Sequence, residues 1–180
     1  MTDLIKSAEI FARSRHVGHF RKGDAQEPYL VHVKEVTELV AAWDGSESAV
    51  AAAWLHDTVE DCPPTSFAEI EQEFGSEVAV IVREMTDDKS LPKAERKKLQ
   101  IVSAAKKSEA ACLIKLADKS SNVAAIGSSP PAIWSVERKL EYVAWARTVI
   151  APPPYKPEIA LQAFNSRCEA TLSVIHGIGG

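Results

Sequence analysis

The chain has three cysteines in 180 residues, Cys62, Cys112 and Cys168, and no C-x-x-C pair among them. That scarcity excludes a disulfide framework and a zinc ribbon, and it fits a reducing compartment. Long apolar runs are missing too. The start, Met1-Thr2-Asp3-Leu4-Ile5-Lys6, carries no signal-type hydrophobic stretch, and nothing approaches membrane-spanning length. A cytoplasmic protein with no membrane partner is expected. Positive charge is also in short supply. With 21 Lys+Arg against 25 Asp+Glu and a net charge of −4, there is no basic stripe of the kind a nucleic-acid binder needs. An anionic small molecule remains open as a partner, because a local pocket or a metal can reverse the potential where it matters.

Strand-type alternation is nearly absent, whereas helical periodicity runs through most of the chain. It predicts helices near 3–18, 28–43, 46–60, 66–74, 76–86, 93–107, 109–126, 132–150 and 157–176. Pro28 suits a first helical turn, where its missing N–H costs nothing. Ser66-Phe67-Ala68-Glu69 reads as a capping box, and Gly75 can end that helix. Pro130-Pro131 and Pro152-Pro153-Pro154 mark the later connections. The expectation is one all-α domain over 1–180, a compact bundle of about eight to ten helices. Residues 155–180 would form a C-terminal helix added onto it.

One stretch resists a packing explanation. His56-Asp57-Thr58-Val59-Glu60-Asp61 places an imidazole and three carboxylates directly after the apolar run Ala49 to Leu55. On a continuous helix His56 would lie over Glu60 and Asp57 over Asp61. Two further oddities sit elsewhere: His32 in the first turns of an apolar helix, and Asp118 after Leu113-Ile114-Lys115-Leu116-Ala117. A buried carboxylate needs a charge partner. Two imidazoles and two carboxylates balance a divalent cation, and mixed N/O ligation suits manganese, iron or zinc better than calcium. His32, His56, Asp57 and Asp118 are the expected metal ligands.

In order and context, His32, His56-Asp57 and Asp118 match the H…HD…D signature of HD-type phosphohydrolases. Several segments extend that match: His16-x-x-x-x-Arg21-Lys22, Pro28-Tyr29-x-x-His32, Thr86-Asp87-Asp88-Lys89 and Lys115-Leu116-Ala117-Asp118-Lys119-x-x-Asn122. Leu91-Pro92-Lys93-x-Glu95-Arg96-Lys97 and the Trp134-to-Ala146 segment add to them. Together they resemble the hydrolase domain of RelA/SpoT proteins, most closely the small stand-alone metazoan SpoT-homologue class, over about residues 8–150. The resemblance implies an HD-domain helical fold and hydrolysis of the 3′-pyrophosphate of ppGpp or pppGpp, with manganese as the usual metal. By position it makes Glu60 and Asp61 the pair beside the attacking water. It makes Arg21, Lys22 and Asn122 groups for a guanine nucleotide.

Other residues are open to two readings. Lys89, Lys93, Arg96, Lys97 and Lys98 read first as a solvated helix face, although Lys89 at its start can reach a pyrophosphate. Tyr142 is either a core aromatic or part of the nucleotide pocket, and Trp134 and Trp145 read as core. The chain departs from the family at His19, where glutamine is common, and at Phe20, Val33 and Ser120-Ser121. The serine pair replaces bulkier residues, which is expected to enlarge the base or ribose pocket. Two alternatives stand beside the hydrolase: an HD phosphohydrolase for another nucleotide or phosphorylated cofactor, and a non-catalytic alarmone-binding module.

Overall fold

The computed structural model describes residues 1–177 and contains ten α-helices among them, with one isolated bridge, Phe20 to Pro28, as the only strand-like pairing. In chain order these are α1 Asp3–Arg15, α2 Tyr29–Ala42, α3 Glu47–Leu55, α4 Thr58–Asp61 and α5 Phe67–Phe74. They continue as α6 Ser76–Met85, α7 Lys93–Ala104, α8 Glu109–Ser128, α9 Val136–Ile150 and α10 Glu158–Ile175. The all-α expectation holds. None of these helices is long and apolar enough to cross a membrane.

α3 is the hub, because every residue from Ala49 to Leu55 is buried. Its four alanines have no bulk to hold neighbours away, so α1, α2, α6 and α8 all pack around it. Serine and threonine oxygens cap five of the helices: Thr2, Ser46, Ser66, Ser108 and Ser135 each accept a backbone N–H from the first turn. The capping box at Ser66 is only half made. Ser66 accepts from the Glu69 amide, but the Glu69 carboxylate pairs with Arg15 instead of returning to the cap. Gly75 separates α5 from α6 at φ 85°, a backbone region that favours glycine.

Among the boundaries that differ from the sequence reading, two bear on the site. The helix predicted over 46–60 stops at Leu55, and a separate turn, α4, begins at Thr58. Between them Asp57 sits at φ −107°, ψ −1°, and Thr58 donates its hydroxyl to the Leu55 carbonyl at 2.7 Å. That side-chain bond satisfies a carbonyl that a continuous helix would have bonded through its backbone. The continuous helix that would stack His56 over Glu60 is therefore interrupted between them. The helix predicted from 132 begins at Val136, where Ser135 provides the cap. The residues before it form a turn closed by the Trp134 amide on the Pro131 carbonyl at 2.9 Å, and both residues line the cavity beside the site.

α10 packs along α8 and α9, and Phe164 and Cys168 enter the same core as Leu55, Ile114 and Val143. Thr171 donates to the Val123 carbonyl at 3.0 Å, beside Gly127, where any added Cβ would meet the Thr171 hydroxyl at 3.0 Å.

Candidate active site

Three parts of the fold meet at one buried cluster. α2 brings His32 and the α3–α4 break brings His56 and Asp57, while α8 brings Asp118. His32, His56 and Asp118 each place a ligand-type atom within 4.8 Å of the others. The Nε2 atoms of both histidines are buried and have no hydrogen-bond partner. Asp57 Oδ2 lies 3.1 Å from His56 Nε2 and 3.8 Å from His32 Nε2, and Asp118 Oδ1 lies 3.6 Å from the latter.

The opposite edges of the rings fix their tautomers. His56 Nδ1 sits 2.8 Å from the Ala53 carbonyl, which only accepts, so Nδ1 carries the proton. His32 Nδ1 sits 2.9 Å from Ser121 Oγ, and Ser121 donates its own proton to Glu35 at 2.6 Å. The serine oxygen must then accept from His32. Glu35 is held in turn by Arg167 of α10, so the chain Arg167–Glu35–Ser121–His32 runs from the last helix to the cluster. In the neutral rings both Nε2 lone pairs are turned inward, the arrangement expected of metal-ligating imidazoles.

Without a cation the charges settle among themselves. Burial lowers the His32 pKa to about 4, against the pull of Asp118. Burial also acts to lower His56, but Asp57 beside it prevails and raises the ring to about 9. Burial opposes ionisation of Asp57, yet His56, His32 and the Tyr29 hydroxyl, which donates to Oδ2 at 2.6 Å, hold it far below the usual carboxylate range. Asp118 is likewise depressed despite burial, by the ammonium groups of Lys119 and Lys115. Once His56 gives up its extra proton, two inward lone pairs flanked by two ionised carboxylates suit a divalent cation in both charge and donor type.

Beside this cluster opens a cavity of about 670 Å³, within the range of nucleotide-sized ligand sites. Arg21, Lys22, Asn122, Tyr142 and Asp61 all line it, so the structure brings those predicted residues to one wall system. Arg21 is braced on α8 through Ser121 Oγ at 3.3 Å and Asn122 Oδ1 at 3.4 Å. Its loop lies flat on the end of α8 because Gly23 approaches Ser129 where an added Cβ would stand 2.1 Å from the carbonyl oxygen. Asn122 donates to Asp118 Oδ1 at 2.5 Å, which links the cavity wall to the ligand cluster.

The remaining predicted residues divide. Glu60 does not line the cavity: it accepts from the Asp87 amide at 2.9 Å and lies 3.8 Å from Arg96. Burial raises its pKa, with Asp57, Asp87 and Asp61 reinforcing the shift and the Asp87 amide opposing it. Lys89 is bonded to Asp61 rather than placed on the cavity wall. Ser120 and Ser121 are buried and neither lines the cavity; Ser121 instead connects Arg21 with His32.

Sequence reading leaves most of one wall unassigned, with Tyr142 alone named as a candidate there. Lys93, Arg96 and Lys97 line the cavity from α7, so the basic run is not simply a solvated face. Trp134, Tyr142 and Trp145 pack in series as tilted rings with centroids 5.6 and 5.4 Å apart, and they too face the cavity. Lys97 Nζ lies 4.2 Å and Lys119 Nζ 4.7 Å from the Trp145 ring, and Arg138 lies 4.9 Å from that of Trp134. The signal was present as basic and aromatic residues at helical spacing on α7 and α9, but only their facing across one gap identifies it.

Comparison with known proteins gives the family. The HD-domain family pattern matches residues 8–143. The chain is 44% identical over 142 residues to the Drosophila melanogaster guanosine-3′,5′-bis(diphosphate) 3′-pyrophosphohydrolase MESH1, covering 78% of this chain and 79% of that one. It is 41% identical over 171 residues to the Homo sapiens protein of the same name, covering 94% and 90%. A solved structure of a metazoan SpoT orthologue described as hydrolysing ppGpp superposes with a TM-score of 0.80 at 36% identity, over 99% of this chain and 97% of that one. That match takes in α10, beyond the sequence motifs that end near residue 150. The chain belongs to the HD-domain family, among the small MESH1-type SpoT homologues.

Proposed function

We propose that this protein hydrolyses the 3′-pyrophosphate of guanosine 3′,5′-bis(diphosphate), releasing GDP and pyrophosphate, and likewise converts pppGpp to GTP, ending a stringent-response signal. The observation that carries the reading is the pair of orphaned Nε2 atoms, flanked by Asp57 and Asp118, at the edge of a cationic and aromatic cavity. A tetra-anionic or more highly charged nucleotide needs such a cavity on a chain whose net charge is −4.

His32, His56, Asp57 and Asp118 would hold one divalent cation, which we assign as manganese from the N₂O₂ donor set and the family resemblance; iron or zinc fits the same donors. When bound, that cation supplies Lewis-acid activation of water and neutralisation of phosphate charge. The chain's own residues do the rest. Glu60, whose pKa burial raises, and Asp61, which faces the cavity, orient the attacking water and take its proton. The water oxygen bonds to the phosphorus carried by the ribose 3′ oxygen, the bond from that phosphorus to the 3′ oxygen breaks, and the proton taken from the water is returned to the 3′ oxygen, which leaves as a hydroxyl. Arg21 and Lys22 contact the base or its phosphates, Asn122 the nucleoside, and Tyr142 a face of the base. Lys89 acts through Asp61 rather than on the substrate. With three unpaired buried cysteines, a cytoplasmic setting suits the protein.

The test is to incubate the manganese-loaded protein with ppGpp and separate the products. GDP with stoichiometric pyrophosphate is expected. Orthophosphate release, or inert ppGpp beside rapid turnover of another nucleotide, would overturn the assignment in favour of a different phosphohydrolase.

A further inference from the structure

A second cluster of donor atoms lies outside the four-ligand site. His16 follows α1, His19 sits in the loop toward α2, and Cys62 ends α4. Cys62 Sγ is 3.4 Å from His16 Nδ1 and 3.9 Å from His19 Nδ1, and each of the three residues offers an atom within 4.8 Å of the other two. A tetrahedral zinc with bonds of about 2.3 Å to sulfur and about 2.0–2.1 Å to nitrogen holds those atoms about 3.6 Å apart. The observed separations bracket that value.

Burial favours a built site over a surface accident. His16 and Cys62 are buried and His19 is half-buried. The imidazoles are fixed as well: His16 packs on Tyr29 at 5.2 Å between centroids, and His19 meets His16 edge-on at 5.6 Å. His19 also lines the large cavity, so a fourth coordination position would open toward it.

We propose that His16, His19 and Cys62 form a second divalent-cation site, selective for a soft or borderline ion of the zinc class. The sulfur ligand sets the preference, since manganese and magnesium favour oxygen donors. As the metal–sulfur bond forms, the thiol proton passes to solvent. Occupancy ties the segment bearing Arg21 and Lys22 to the turn bearing Asp61, next to but chemically distinct from the N₂O₂ cluster. The site stands or falls independently of the nucleotide assignment.

Cobalt(II) added to the metal-free protein tests it, because only a sulfur ligand gives a thiolate-to-cobalt charge-transfer band. Wild type is expected to take up a second equivalent with that band. Asp57→Ala should keep the band, Cys62→Ser should abolish it, and His19→Gln should weaken the binding that produces it by at least about tenfold, the scale on which metal sites lose affinity when support is removed. His19→Gln serves if Cys62→Ser folds poorly. Absence of the band in wild type at excess cobalt, or its persistence unchanged in Cys62→Ser or His19→Gln, would overturn the site.

Discussion

Asp57 has two neighbours that need it, since both orphaned imidazole nitrogens face its Oδ2. On the proposed assignment, replacing it with alanine removes a ligand and part of the charge that would balance the cation. Asp57→Ala should therefore abolish both metal retention and hydrolysis, read by metal analysis after dialysis and by product formation; full activity would refute its role. Glu60→Gln and Asp61→Asn should keep the metal and lose turnover, and loss of metal in either would show that these carboxylates belong to the ligand shell. Ser121 permits a subtler test. Its hydroxyl fixes His32 in the tautomer that presents Nε2, so Ser121→Ala should weaken metal affinity about 10–100-fold while leaving all ligands in place. A titration showing unchanged affinity would mean that packing alone orients the ring. His32, His56, Asp57 and Asp118 were readable because a histidine or carboxylate within an apolar helix violates the hydrophobic pattern. Ser121, Glu35 and Arg167 were not, since serine and surface-type charges violate nothing and the bonds joining them span 86 and 132 residues.

At the scale of elements, the helices themselves followed from period and caps, and what escaped was which faces look at one another. The α7 run shows why. Its spacing is that of any amphipathic surface helix, and only the tertiary approach of α9, with Trp145 Nε1 3.5 Å from the Lys97 carbonyl, turns it into a wall. The break after Leu55 was equally hidden, because Thr58 competes for a carbonyl through a side-chain bond that propensity does not register. If the α7–α9 wall receives the substrate's phosphates, Lys97→Met should raise KM for ppGpp by about tenfold or more, the worth of one hydrogen bond to a charged group. Manganese affinity should be unchanged, because Lys97 contacts no ligand of the cluster. An unaltered KM would leave that wall without a part in binding, while a matching fall in kcat alone would place Lys97 at the transition state instead.

The whole molecule turns on α10, which the triple proline before it suggested was an addition to the bundle. Its side chains reach well into that bundle. Phe164 and Cys168 are buried in the core shared with α3, α8 and α9, and Arg167 ends the chain of contacts that reaches His32. Deleting a buried phenyl ring costs transfer energy plus the cavity left behind, about 3–5 kcal/mol. For a chain of this size that corresponds to a fall in Tm of roughly 6–20 °C. If α10 folds with the rest, Phe164→Ala should lower a single thermal transition by that amount, with helix loss by circular dichroism and tryptophan fluorescence coinciding. An added helix would behave differently: a small early transition confined to α10 would separate from an unshifted main one, and the tryptophans, none of which lies on α10, would not report it. The same experiment bears on the metal cluster. Loosening α10 frees Arg167 from Glu35, so metal affinity in Phe164→Ala should fall well below the melting temperature if the last helix supports the site, and should hold until the main transition if it does not.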